Sequence, residues 1–212
     1  MNSAKIAGLY AIADTRYLDE ARLVARVRDA IAGGARVIQY RDKSADTARR
    51  ARQAGALATL CRETETIFLV NDDVALAHDV GANGVHLGRD DAAFDNARAQ
   101  LGAQTIVGVS CYNELPLALA AQAQGASYVA FGSFFPSNTK PHAVRATATL
   151  LREARVQLRI PIVAIGGITP QNGAELIDAG ADALAVIEGL FGRDDTRAAA
   201  TDYARLFEYR VR

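Results

Sequence analysis

The run Gln39-Tyr40-Arg41-Asp42-Lys43 sets an amide and two cations two residues apart. Side chains of extended backbone alternate with period two, so Gln39, Arg41 and Lys43 point the same way. Three donors on one side suit a pyrophosphate, the guanidinium through paired N–H groups and the ammonium as a point charge. A second cation closes the stretch Tyr128 to Lys140, where an apolar run gives way to Gly132, Pro136, Ser137, Thr139 and Lys140. Its hydroxyls and lysine read as an anion-facing loop. Asp72 and Asp91 each lie just past a short apolar run. Carboxylates from adjacent strand ends build a hard-cation site, and Mg2+ takes one or two of them together with its own waters and phosphate oxygens. Asn71 adds a hydrogen bond to the same phosphate. Aspartate is also a common helix cap, the competing reading for each of these and for Asp73 and Asp90.

Further along, Gly166-Gly167 and the turn Ile187-Glu188-Gly189 each end an apolar run. Glycine lets backbone N–H groups approach an anion closely, and a helix start after such a turn favours phosphate. The histidines are discounted: His86 lies inside an apolar run and reads as a core residue, His78 falls on a helix and His142 in a loop after Pro141. No Cys/His metal cluster, Ser-His-Asp order or P-loop is present.

Positioning these groups requires a scaffold with many strand ends on one side. Eight apolar runs supply it: 6–12, 36–40, 67–70, 85–87, 105–109, 128–132, 160–165 and 183–187. Helical patterns follow them, among them 18–31 and 197–209, with Asp46 as a cap and Thr169-Pro170 as a helix start. Continuous Val/Ile runs are the mark of parallel strands buried on both faces. The alternation predicts a single α/β domain over residues 1–212, a (β/α)8 TIM barrel. An open doubly wound sheet would gather its ligand groups at one crevice, whereas here polar clusters follow nearly every strand. The turns Gly33-Gly34-Ala35, Gly81-Ala82-Asn83, Gly125-Ala126-Ser127 and Gly180-Ala181-Asp182 precede strands and read as structural turns of the opposite face.

Composition narrows the partners. With 24 Lys+Arg against 24 Asp+Glu the net charge is zero, so no basic field draws nucleic acid or an anionic membrane, and anion binding must be local. Cys61 and Cys111 have no disulfide-framework spacing, no apolar run is long enough to span a membrane, and no secretory signal pattern opens the chain. A cytoplasmic protein acting on small molecules is expected, with a homo-oligomer left open.

Together, Gln39 to Lys43, Asn71-Asp72-Asp73, Val85 to Asp91, Gly108-Val109-Ser110, Pro136 to Lys140 and Ile165 to Ile168 resemble, in order, the motifs of the thiamine-phosphate synthase family. The resemblance spans nearly the whole chain. It implies a (β/α)8 transferase that joins 4-amino-5-hydroxymethyl-2-methylpyrimidine diphosphate to 4-methyl-5-(2-phosphoethyl)thiazole with Mg2+, releasing pyrophosphate by a dissociative, carbocation mechanism. It further implies that Gln39, Arg41, Lys43, Asn71 and Lys140 hold the diphosphate and that Asp72 and Asp91 hold Mg2+. Ser110 then lies near the reacting methylene and diphosphate oxygen, so that Ser110, Lys140 and Arg41 are the catalytic groups. Ser137, Thr139 and backbone at Gly167, Ile187 and Glu188 take the thiazole phosphate side. Two positions depart from the pattern: Ser137 stands where Thr is frequent, and Glu188 where Ser is common, so its backbone N–H is the expected contact. A thiazole tautomerase or a non-catalytic phosphate-ligand sensor on the same barrel are the alternatives.

Overall fold

The computed structural model describes residues 6–88, 91–136 and 144–208, with residues 91–93 described by backbone alone. Eight parallel strands close in sequence order into a barrel: β1 (Gly8–Asp14), β2 (Ala35–Arg41), β3 (Ile67–Asn71), β4 (Gly84–Leu87), β5 (Ile106–Tyr112), β6 (Tyr128–Gly132), β7 (Ile162–Ile165) and β8 (Ala183–Val186). Around them run α1 (Leu23–Ala32), α2 (Thr47–Glu63), α3 (Val74–Asp79), α4 (Asp91–Leu101), α5 (Leu115–Ala123), α6 (Ala148–Gln157), α7 (Gly173–Asp178), α8 (Glu188–Phe191) and α9 (Thr196–Arg205). None of the described helices is long and apolar enough to cross a membrane.

The continuous apolar runs are split by the period of two into two cores. Outward residues such as Leu9, Ala11, Ile38, Tyr40, Phe68, Val85, Val129, Phe131, Ala164 and Leu184 pack under the helices. Inward ones, including Tyr10, Ile12, Val37, Leu69, Tyr128, Ala130, Val163 and Ala185, fill the barrel. Both faces are dry, which is why the sequence shows runs and not alternation. Asp46, Asp73, Thr147 and Asp195 accept from the N–H three residues on at the starts of α2, α3, α6 and α9, each cap contributing roughly 1 kcal/mol.

The N-terminal ends of the strands carry a repeated device. Asn83, ahead of β4, donates its N–H to the Phe68 carbonyl at 2.9 Å and accepts the Phe68 N–H on Oδ1 at 2.7 Å. Ser127, ahead of β6, makes the same two-way link to Val107, and Asp182, ahead of β8, makes it to Ile162. Asp182 also takes Arg155 Nη1 at 2.8 Å. β4, β6 and β8 are thus each latched to the odd strand before them. Gly34, ahead of β2, has no side chain for the task.

Three expectations are corrected. The first helix begins at Leu23, not Leu18: the chain first turns on Asp14, which takes the Arg16 N–H on Oδ1 and the Tyr17 N–H on its carbonyl, and on Asp19, which takes the Arg22 N–H. Leu18 is buried in the outer core without being helical, which is what mimicked the period. Thr169-Pro170 is not a helix start, because Asn172 Oδ1 captures the Thr169 N–H at 2.7 Å in a turn and α7 begins only at Gly173. Ser110 and Cys111 lie within β5 and not beyond it.

Candidate functional site

At the C-terminal end of β2, Gln39 and Arg41 face inward while Tyr40 faces the helices. Arg41 is bound to Asp14 across the β1–β2 pair, and Arg16 closes on the same carboxylate through Nε at 3.1 Å and Nη2 at 2.9 Å. Burial pushes the Asp14 carboxyl upward, but hydrogen bonds from Arg16 and the Arg41 charge outweigh it, leaving the group below its ordinary value. A guanidinium carries five N–H donors, so this pairing orients Arg41 without consuming it. The next carboxylate, Asp42, turns outward to the Ser44 N–H and Arg49. Burial raises it, the Ser44 backbone and Arg49 lower it further, and it sits at about 2.

Beyond β2 and β3 a cavity of about 520 Å³ gathers Lys43, Asn71 and Asp72 on its wall. Asp72 accepts from Lys43 and, at 2.7 Å, from Asn71 Nδ2. Its backbone is left-handed, φ +62°, a region Asp and Asn tolerate better than most residues. Asp73 next to it caps α3 and pairs with Arg50, so it has a structural task. Asp91 begins α4; its side chain, like Ser137, Thr139, Lys140 and the competing Asp90, lies outside the described residues. Among the described residues no group of three or more His, Cys, Asp or Glu side chains is clustered to hold a metal.

Across the barrel interior, five side chains from five strands join end to end. Gln39 Nε2 donates to the Tyr10 hydroxyl at 2.6 Å, Tyr10 and Tyr128 hydroxyls meet at 2.8 Å, Tyr128 meets His86 Nδ1 at 2.8 Å, and His86 Nε2 meets Ser110 Oγ at 2.9 Å. The Tyr128 ring runs where a Cβ on Gly108 would stand, 2.0 Å from its Cζ, so glycine there admits the ring. Burial drives both phenols well above their ordinary range, and they stay protonated. His86, read from sequence as a core residue, is the link to Ser110. Its partners come from β5 and β6, and no local signal announced them.

The third group lies past β7 and β8. A cavity of about 560 Å³ is walled by Gly166, Gly167, Thr169, Ile187, Glu188 and Arg193, among others. Gly167 has φ +63°, and a Cβ there would stand 2.3 Å from the Pro136 carbonyl, so the β6 loop packs directly on this turn. Phe135 N–H donates to Gly166 O at 2.9 Å in the same contact. Glu188 opens the short helix α8, and Arg193, which the sequence reading passed over, supplies a cation at the rim. Cys61 and Cys111 are both buried, their thiols pushed up to about 12, so neither is a nucleophile at neutral pH.

The described candidates therefore fall into three groups at the C-terminal end of the strands: Gln39, linked through Tyr10, Tyr128 and His86 to Ser110, with Arg41 two residues on along β2; Lys43 with Asn71 and Asp72; and Gly167 with Ile187 and Glu188. This is the face on which barrels of this type place their chemistry. A family model described as thiamine monophosphate synthase matches residues 9–190. The chain is 53% identical over 205 residues to the thiamine-phosphate synthase of Nitrosococcus oceani, covering 97% of this chain and 94% of that protein. With that of Chromobacterium violaceum it shares 54% over 203 residues, 96% of this chain and 97% of the other. Among solved structures, the thiamine phosphate pyrophosphorylase from Pyrococcus furiosus superposes with a TM-score of 0.88 at 36% identity over 100% of both chains. On the ordered motifs, the closed barrel and these relatives, the chain belongs to the thiamine-phosphate synthase family.

Proposed function

We propose that the chain is a transferase that joins 4-amino-5-hydroxymethyl-2-methylpyrimidine diphosphate to 4-methyl-5-(2-phosphoethyl)thiazole, giving thiamine phosphate and pyrophosphate. The observation that carries this is the sharing of one open cavity past β2 and β3 by Lys43, Asn71 and Asp72, with a second, glycine-walled cavity past β7 and β8: two candidate anion sites at the C-terminal strand ends of one barrel. The same reading takes residues 1–212 as one catalytic domain working in the cytoplasm.

In this mechanism the bond from the pyrimidine methylene to the diphosphate oxygen breaks first, its electron pair leaving with the diphosphate. The thiazole nitrogen lone pair then forms the new C–N bond. The protein's task is to neutralise the leaving group and align the rings. Arg41, held by Asp14, and Lys43 and Asn71 bind diphosphate oxygens, joined by Lys140 from the β6 loop. Ser110 donates its hydroxyl toward the leaving oxygen. Gln39, which the family resemblance also assigns to the diphosphate, stands at the same strand end with its Nε2 donating to Tyr10. Backbone N–H groups at Gly167, Ile187 and Glu188, with Ser137 and Thr139, take the thiazole phosphate. The Asp72 carboxylate, presented to a cavity with room for waters and phosphate oxygens, fits a hard cation of the Mg2+ type. Asp72 and Asp91 would hold Mg2+, whose positive charge would offset the charge of the departing diphosphate.

Pyrophosphate release by the purified chain tests this directly. Release and thiamine phosphate formation are expected with both substrates and Mg2+, and to stop when Mg2+ is chelated. Binding of both substrates without a joined product would overturn the assignment.

A further inference from the structure

We propose that Gln39, Tyr10, Tyr128 and His86 form a one-way hydrogen-bond relay that fixes the tautomer of His86 and leaves the Ser110 hydroxyl proton pointing out of the relay as a donor. The inference rests on the transferase reading only for what that donor meets; the direction of the relay rests on the buried geometry.

Each internal link has one proton to give. Gln39 presents its amide nitrogen to Tyr10. Among the described residues the Tyr10 hydroxyl meets only Gln39 and Tyr128, and it is 1% exposed, so having accepted from Gln39 it must donate to Tyr128 or leave its own proton buried without an acceptor. Tyr128, wholly buried, accepts that bond and passes its proton to His86 Nδ1. A neutral imidazole that accepts on Nδ1 carries its proton on Nε2, and Nε2 faces Ser110 Oγ. Ser110 Oγ is then an acceptor within the relay and its O–H is released toward the open end. The His86 and Tyr128 rings are nearly parallel, 22° apart with centroids at 5.6 Å, and Gly108 clears the space for the Tyr128 ring. The order is all-or-none, because turning the Gln39 amide would reverse every bond and commit the Ser110 proton to His86. His86 is therefore a positioning residue, acting on the leaving oxygen only through Ser110.

The test is nitrogen NMR of the intact, histidine-labelled chain at neutral pH, with His86 assigned by the signal lost in His86→Gln. A bare Nδ1 and a protonated Nε2 are expected. A proton on Nδ1, or a doubly protonated ring, overturns the relay. In Tyr128→Phe the ring stays but the donor to Nδ1 goes: a mixture of tautomers is expected, with kcat reduced and KM for the pyrimidine diphosphate little changed. Full kcat with a single tautomer in that variant overturns the proposal. His86→Phe should lose about 10²-fold in kcat, the scale of one lost transition-state donor, and His86→Gln should recover part of it because an amide can accept from Tyr128 and donate to Ser110. Equal loss in both would reduce His86 to packing. The tautomer is read without substrate, so a chain that fails to make thiamine phosphate yet shows the bare Nδ1 upholds the relay while removing the transferase reading.

Discussion

The two ends of this barrel use the same residue types for opposite purposes. At the N-terminal end Asn83, Ser127 and Asp182 each satisfy both backbone groups of one residue on the preceding strand, and Asp182 adds Arg155. Those polar atoms are consumed by the fold. At the C-terminal end Lys43, Asn71 and Asp72 bond to one another and line an open cavity, while Arg41 is braced by Asp14, so these groups are arranged for something that arrives. A polar side chain coupled to buried backbone stabilises, since a buried N–H left without an acceptor costs about 1–3 kcal/mol. An exposed ion pair contributes roughly 0–1 kcal/mol, so its members are available for function.

The sharpest way to separate the ends is Asp72→Asn. Asparagine keeps the left-handed backbone and removes the charge, so kcat/KM should fall by about 10²–10³, with the melting temperature nearly unchanged. Near-normal turnover would take Asp72 out of the mechanism. Asp182→Ala should do the reverse: stability falls by about 2 kcal/mol, lowering Tm by roughly 4–8 °C, while kcat/KM at 25 °C holds; calorimetry beside initial rates decides it. Gly108→Ala tests the interior that joins the ends. A methyl driven into the Tyr128 ring is expected to cost about 1–3 kcal/mol and also to depress kcat, so a variant altered in only one of the two readouts would separate packing from the Ser110 line.

The smallest effect is pH-dependent. Asp42 titrates at about 2 in the fold against an ordinary 3.8, so it binds its proton later than in the unfolded chain. Its stabilisation is complete above roughly pH 4 and lost as pH falls toward 2. Asp42→Asn should lower Tm at pH 7 and converge on the parent in strong acid; a constant Tm difference across that window would refute the assignment.

The sequence by itself determined the barrel and much of its upper face. Apolar runs of strand length separated by helical periods admit few other closures, and period-two alternation put Gln39 and Arg41 on one side of β2, because these signals are local in the chain. It also marked the Asx turns ahead of β4 and β8. Local signals misled where tertiary bonds outrank them: Thr169-Pro170 yields to Asn172, and the first helix waits for the Asp14 and Asp19 turns. Only the tertiary structure decided that Arg41 is braced by Asp14, that Lys43 and Asp72 are paired, that Arg193 stands at the second cavity, and that His86 connects Tyr128 to Ser110. Those groups sit on different strands or loops, tens of residues apart, and closure of the barrel brings them within hydrogen-bond reach.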